Sequence, residues 1–129
     1  MRSALIDTNI YSYLLKGDEE ITEGIRRLSA IGLSCVSIGE LLAGFRRGNN
    51  ERENRRRLGE FLDSPRVATY GIDEITAEHY SAIFNQLRKV GAPIPTNDIW
   101  IAAVALQHGL PLFTRDKHFN KVAGLLLFE

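Results

Sequence analysis

Apolar positions along this chain follow two rhythms. Ser3 to Ile6, Leu33 to Val36, Arg66 to Tyr70, Leu112 to Thr114 and Leu125 to Phe128 are short runs bounded by turn and capping residues, and they read as strands. Between them lie segments with helical spacing. A helix through Tyr11 to Leu15 stops at Gly17, and Asp18-Glu19-Glu20 opens another, with apolar positions at Ile21, Ile25, Leu28 and Ile31. Ser37 begins a helix through Leu41 and Leu42 to about Arg47, closed by Gly48, and an arginine-rich helix follows and ends before Pro65. Asp73 or Thr76 caps a long helix whose Tyr80, Ile83, Phe84 and Leu87 form one stripe before Gly91. Ala92-Pro93-Ile94-Pro95 cannot continue a helix, so Thr96 caps the next and most apolar one, with Ile99, Ala102, Ala103 and Leu106 at core spacing up to Gly109. Asp116 to Asn120 reads as a short helical turn.

Strands alternating with helices predict an α/β protein with a mostly parallel sheet, helices on both faces and right-handed crossovers. In such sheets, ligands bind beyond the carboxyl ends of the strands. The 129 residues match a single domain spanning 1–129, and 44% hydrophobic with 25% charged residues is a globular composition. The longest apolar run, Ile99 to Leu106, is too short to cross a bilayer, and Asp7 interrupts the N-terminus before a signal-peptide core can develop. The lone Cys35 excludes an internal disulfide or a cysteine-rich zinc site, and its apolar surroundings predict a small buried hydrophobe. The expectation is a soluble, unexported protein in a reducing cytoplasm.

Sixteen basic and sixteen acidic residues cancel, but not evenly. Six arginines (Arg46, Arg47, Arg52, Arg55, Arg56, Arg57) stand against Glu51 and Glu53, a local excess of +4. Such a run is ordinarily a solvated helix face; contact with RNA or a partner protein, through Arg46, Arg47 and Arg55 to Arg57, is the sharper reading.

The acids outside that run carry the candidate chemistry. Asp7 directly follows the first strand, Glu40 lies one helical turn past the second, Asp116 sits two residues past the fourth, and Asp98 opens the apolar helix leading into it. Each has a bland explanation: Asp7 and Asp116 as helix N-caps, Ser37 with Glu40 as a capping box, Asp98 as a complement to a helix dipole. Brought together at one sheet edge, however, four carboxylates repel one another unless a cation compensates. Oxygen-only ligands suit Mg²⁺, with Mn²⁺ as a substitute, and phosphate is the group such ions clamp. Phosphodiester hydrolysis by activated water follows, with no histidine required.

Asp7-Thr8-Asn9, Glu40-Leu41 with Gly44, Asn97-Asp98 followed by Ile101-Ala102-Ala103 and Ala105, and Thr114-Arg115-Asp116 with Phe119 together resemble the PIN-domain ribonucleases, the VapC-type toxins in particular. The resemblance covers nearly the whole chain in order. It implies a three-layer α/β/α sandwich, a magnesium-dependent endoribonuclease, frequent homodimers and an antitoxin encoded beside the toxin. By position it makes Asp7, Glu40, Asp98 and Asp116 the catalytic and metal-holding acids, with Asn9 and Thr114 as supporting polar groups; local turn bonding is the plain alternative for the last two.

His79, His108 and His118 are too scattered for a metal motif, and only His118 lies near a candidate acid. Trp100, two residues on from Asp98 and so about 200° round an ideal helix from it, reads as core or interface. Leu14-Leu15 and Leu41-Leu42 read as core packing, or as a groove for a partner helix. Two rival functions share these features. A receiver or phosphatase-like domain also uses Mg²⁺ and aspartates, but Asp7-Thr8-Asn9 lacks an Asp-x-Asp motif and no aspartate ends the strand near Tyr70. A non-catalytic RNA-binding or scaffold module leaves the acids as unexplained repulsion toward phosphate.

Overall fold

The structure, a computed structural model, describes residues 2–129. Four parallel strands, β1 (Ser3–Ile6), β2 (Ala30–Ser34), β3 (Val67–Tyr70) and β4 (Leu112–Phe113), form one sheet in the order β3-β2-β1-β4. The helices are α1 (Thr8–Leu15), α2 (Glu19–Arg26), α3 (Cys35–Arg47), α4 (Glu51–Asp63), α5 (Glu74–Lys89) and α6 (Thr96–His108), followed by a short 3-10 helix, Lys117–Lys121.

Alternation along β1 divides the core. Ala4 and Ile6 pack into one cluster with Ile10, Ile21, Leu33 and Leu41, whereas Leu5 joins a second with Leu87, Ile101 and Leu112. The strand is buried on both faces, which is why its sequence is a continuous apolar run. Helices α1 to α4 thus cover one face and α5 with α6 the other, a PIN-like three-layer α/β/α sandwich.

Several boundaries differ from the sequence reading. The second strand runs over Ala30–Ser34 and not Leu33 to Val36. Gly32 lies inside this strand, where the Tyr70 ring takes its side-chain space: an added Cβ would lie 2.7 Å from Tyr70 Cε2. Ser34, not Ser37, then caps α3 by accepting a hydrogen bond from the Val36 N–H, so the Ser37–Glu40 capping box does not form. Cys35 consequently lies in the exposed first turn of α3 and is not buried. Pro95 replaces Thr96 as the N-cap of α6. Leu125 to Phe128 contributes only a single bridge, Leu112 with Leu127, because β4 is two residues long. Asp73 and Thr76 both act in one capping box at the start of α5.

The arginine run is spread over the end of α3 and the body of α4, where it meets acids at helical spacing. Arg55 pairs with Glu51 at 2.9 Å, Arg56 with Glu53 at 2.7 Å and Glu60 at 3.0 Å, and Arg57 with Glu53 at 3.2 Å. No helix among the described residues is long and apolar enough to cross a membrane.

Candidate active site

β1 is the point where the chain reverses its order in the sheet, stepping to β2 on one side and later to β4 on the other. A crevice at the carboxyl ends is expected there. Asp7, the residue after β1, is buried, with 5% of its surface exposed. It stands at the N-cap position of α1 but makes no capping hydrogen bond. Its Oδ2 instead accepts from the Thr114 hydroxyl at 2.9 Å, across the gap to the end of β4. Burial pushes the Asp7 carboxyl above its ordinary pKa; hydrogen bonds from Thr114 and the Thr8 backbone oppose this, and the negative charges of Asp116 and Glu40 reinforce it.

Glu40, on the second turn of α3, is held at both oxygens. The Thr8 hydroxyl donates to Oε1 at 2.6 Å, and Asn97 Nδ2 donates to Oε2 at 3.1 Å. Thr8 also lies 2.7 Å from the Ser37 hydroxyl. One carboxylate thereby joins α1, α3 and α6. In the sequence Thr8 and Asn97 stood out only as neighbours of acids, and Ser37 only as a helix start and half of a capping box; their role needs the inter-helix distances.

Asp98 sits in the first turn of α6, half-buried and without a capping bond. Its pKa is pushed up to about 6, first by burial and then by Asp7, Asp116 and Glu40, with His118 opposing. Asp116 does cap the 3-10 helix, accepting from the His118 N–H at 2.9 Å. Its other carboxylate positions remain available, since one oxygen suffices for the cap. Ligand atoms of Asp98, Asp116 and His118 lie within 4.8 Å of one another, and His118 Nδ1 is 3.1 Å from Asp116 Oδ1. The sequence reading set His118 aside; the tightness of the 3-10 turn is what returns it to the cluster.

The structure therefore brings the four predicted acids near enough for Asp98 to feel the charges of the other three, with Asp7 and Asp116 lining one hollow and Asp98 within ligand reach of Asp116. Asn9 lines that hollow, of about 210 Å³, with Asp7, Tyr13, Arg115 and Asp116, whereas Thr114 makes the direct bond to Asp7. Arg46, Arg47, Arg55, Arg56 and Arg57 lie elsewhere, on α3 and α4, and none of them lines that hollow. Thr8, Tyr13, Asn97 and Arg115 are polar side chains at the cleft to which the sequence reading gave no individual role.

Residues 4–125 match the PIN domain family. The chain belongs to that family. It is 31% identical over 121 residues to Ribonuclease VapC4 of Mycobacterium tuberculosis, covering 92% of this chain and 90% of the relative. Ribonuclease VapC1 of Rickettsia felis is 34% identical over 125 residues, with 94% and 91% covered. Among solved structures, VapBC-1 from nontypeable Haemophilus influenzae superposes with a TM-score of 0.86 at 30% identity, over 97% of this chain and 96% of that one. VapBC2 from Rickettsia felis, bound to a promoter DNA fragment, gives a TM-score of 0.89 at 23% identity, a likeness of fold, over 97% and 96% of the two chains. This PIN-domain chain thus resembles VapC-type relatives along nearly all of its length.

Proposed function

We propose that this PIN-domain protein is a divalent-cation-dependent endoribonuclease and the toxin of a toxin–antitoxin pair. The observation that carries the nuclease reading is electrostatic. Asp7, Glu40, Asp98 and Asp116 lie near one another, and Asp98 is pushed up to about 6, first because it is partly shut off from solvent and then because its neighbours are negative. Such a cluster suits Mg²⁺ or Mn²⁺, and the donor set of carboxylate oxygens, with one imidazole at its edge, fits either ion.

Asp7, Asp98 and Asp116 would hold the cation. When bound, it supplies Lewis-acid polarisation of the phosphodiester and lowers the pKa of water to the range needed for attack. Thr114 fixes the Asp7 carboxylate at 2.9 Å, so its second oxygen points from a set direction. Thr8 and Asn97 orient Glu40, leaving its charge at the cleft wall to accept a proton from the attacking water. The fixed carboxylates require no rearrangement during the reaction.

The antitoxin assignment draws on the relatives, which are ribonucleases named VapC and solved complexes named VapBC. On this chain, Leu14, Leu15, Ile38 and Leu42 are only partly buried on α1 and α3 beside the cleft, apolar surface that a partner segment would cover. A homodimer belongs to the same reading, with partly buried Trp100 stacked on Tyr80 at 4.1 Å as its candidate contact.

The test is incubation of the purified, partner-free protein with structured RNAs, in Mg²⁺ and in excess chelator. Metal-dependent internal cuts leaving 5′-phosphate and 3′-hydroxyl ends are expected. Cyclic 2′,3′-phosphate ends, or undiminished cutting in chelator, would overturn the mechanism.

A further inference from the structure

A second hollow, of about 360 Å³, opens beside the acidic cleft. Arg115 lines both. Thr114, whose hydroxyl holds Asp7, lines the second one as well, so the wall between the two hollows is the segment that leaves β4.

The second hollow combines aromatic and guanidinium groups with two acids, Glu20 and Glu129. Phe113 and Phe128 place their ring centroids 4.9 Å apart. Phe128 is buried, with the Arg2 guanidinium over its ring at 4.5 Å from the centroid and that of Arg27 at 5.4 Å, so the surface left for stacking is the exposed Arg27 plane and the partly buried Phe113. Phe113 is held in place by Gly24 of α2: a Cβ there would come within 2.6 Å of Phe113 Cζ, so only glycine lets the ring lie against the helix. Glu20 lines it too, with one carboxylate oxygen 3.5 Å from Arg115 and the other able to accept from an N–H donor. Aromatic rings and arginine planes are what proteins use to hold an unpaired base, and a carboxylate selects bases that present an amino group.

Arg115 itself is fixed rather than free. Its terminal nitrogens meet Asp18 at 2.8 and 2.9 Å, and its guanidinium stacks on Tyr13 at 4.6 Å. A guanidinium has five N–H donors, so the Asp18 pair leaves some for a phosphate, and a group already ordered loses little entropy on binding one. It is also the cation set directly against the acidic hollow, where unscreened carboxylates otherwise repel the substrate backbone.

We propose that the second hollow holds the ribonucleotide next to the bond being cut, its base against Arg27 and Phe113 and its phosphate against Arg115. This rests on the nuclease reading above and adds to it a source of sequence preference. Arg115 has a competing role as a plain clamp, tying the loop after β4 to the start of α2 through Asp18. The Asp18 side of the same pair separates the two roles.

The experiment measures cleavage of a single-stranded RNA library, randomised around the cut, by the parent and by Arg27→Ala, Arg27→Gln, Arg115→Ala and Asp18→Ala. Manganese affinity is followed in parallel by electron paramagnetic resonance, and folding by circular dichroism. Both Arg27 variants are expected to flatten the base preference at one position beside the cut. Arg115→Ala should raise KM about tenfold, a loss of about 1.4 kcal/mol in binding, with kcat and manganese affinity changed less. Asp18→Ala should lower the melting midpoint while keeping the preference and most of the affinity. Unchanged preference in both Arg27 variants overturns the base site, and an equal rise in KM for Asp18→Ala and Arg115→Ala reduces Arg115 to a clamp. If the parent cuts no RNA, the nuclease reading falls first and this one with it, a result distinct from a parent that cuts without preference.

Discussion

The acidic cleft and the arginine-rich helix α4 both gather charged groups, one from across the chain and the other along a single helix, and the fold deals with them in opposite ways. On α4, Arg55, Arg56 and Arg57 find Glu51, Glu53 and Glu60 three or four residues away, on the same helix and in contact with solvent. The Glu53 carboxyl is drawn down to about 2, first by its hydrogen bond to Arg56. At the cleft, acids from four separate places in the chain meet one another, and Asp7 and Asp98 are both pushed up. Local partners make a charged run a solvated face; charges gathered across the chain without local partners are tolerated for what they bind.

Asp7→Asn or Asp98→Asn gives the largest effect expected from this contrast. Each removes one charge at nearly constant volume, and cleavage should fall far more than tenfold. A folded variant that retains more than about a tenth of the parent activity has lost less than about 1.4 kcal/mol of barrier lowering, and would separate that acid from the reaction.

Metal should stabilise the cleft and leave α4 indifferent. At free Mg²⁺ about 100 times its dissociation constant, binding to the folded state alone adds about 2.7 kcal/mol, seen as a rise of several degrees in the melting midpoint. Asp98→Asn should melt higher than the parent in chelator, through relief of repulsion, and gain less from Mg²⁺. Equal gains in the two proteins would show that Asp98 takes no part in holding the ion.

The metal-free protein should also carry a pH signature. Asp98 titrates near 3.8 when unfolded and about 6 when folded, so over that interval the native state binds the extra proton. Stability from this group is complete below about pH 4 and is lost as pH rises through about 6, on the order of 2 kcal/mol. Chelated parent and Asp98→Asn, melted across that window, should differ in slope. Parallel curves would mean that the carboxyl is ionised without penalty.

The smallest effect belongs to α4. Arg56→Ala should leave cleavage, metal response and melting midpoint close to those of the parent, because its partners are exposed and salt-screened. A marked loss of RNA affinity, with a flatter salt dependence, would move this helix into the substrate path.

Much of this was legible along the chain. The sequence by itself determined the alternation of strands and helices, because strand and helix periods are local, and it determined where acids fall relative to strand ends. Asp7, Glu40, Asp98 and Asp116 could therefore be named as a set. The start of β2 was misread for an equally physical reason. Ile31 continues the helical spacing of Ile21, Ile25 and Leu28, and only its pairing with Ala4 and Val67 in the sheet places it in β2.

Tertiary structure alone decided which carboxylates were spent on local bonds. Asp7 and Asp116 both looked like helix caps; Asp116 caps a helix, while Asp7 turns away to Thr114, more than a hundred residues on. Glu40 looked like half of a capping box and is instead gripped by Thr8 and Asn97 from two other helices. His118 and Arg115 reach the cleft through the turn after β4, and the pairing of Arg115 with Asp18 spans most of the chain. Helix and strand periods depend on neighbours a few residues away, so a sequence displays them; hydrogen bonds and repulsions between distant residues depend on distances that exist only after the sheet has closed.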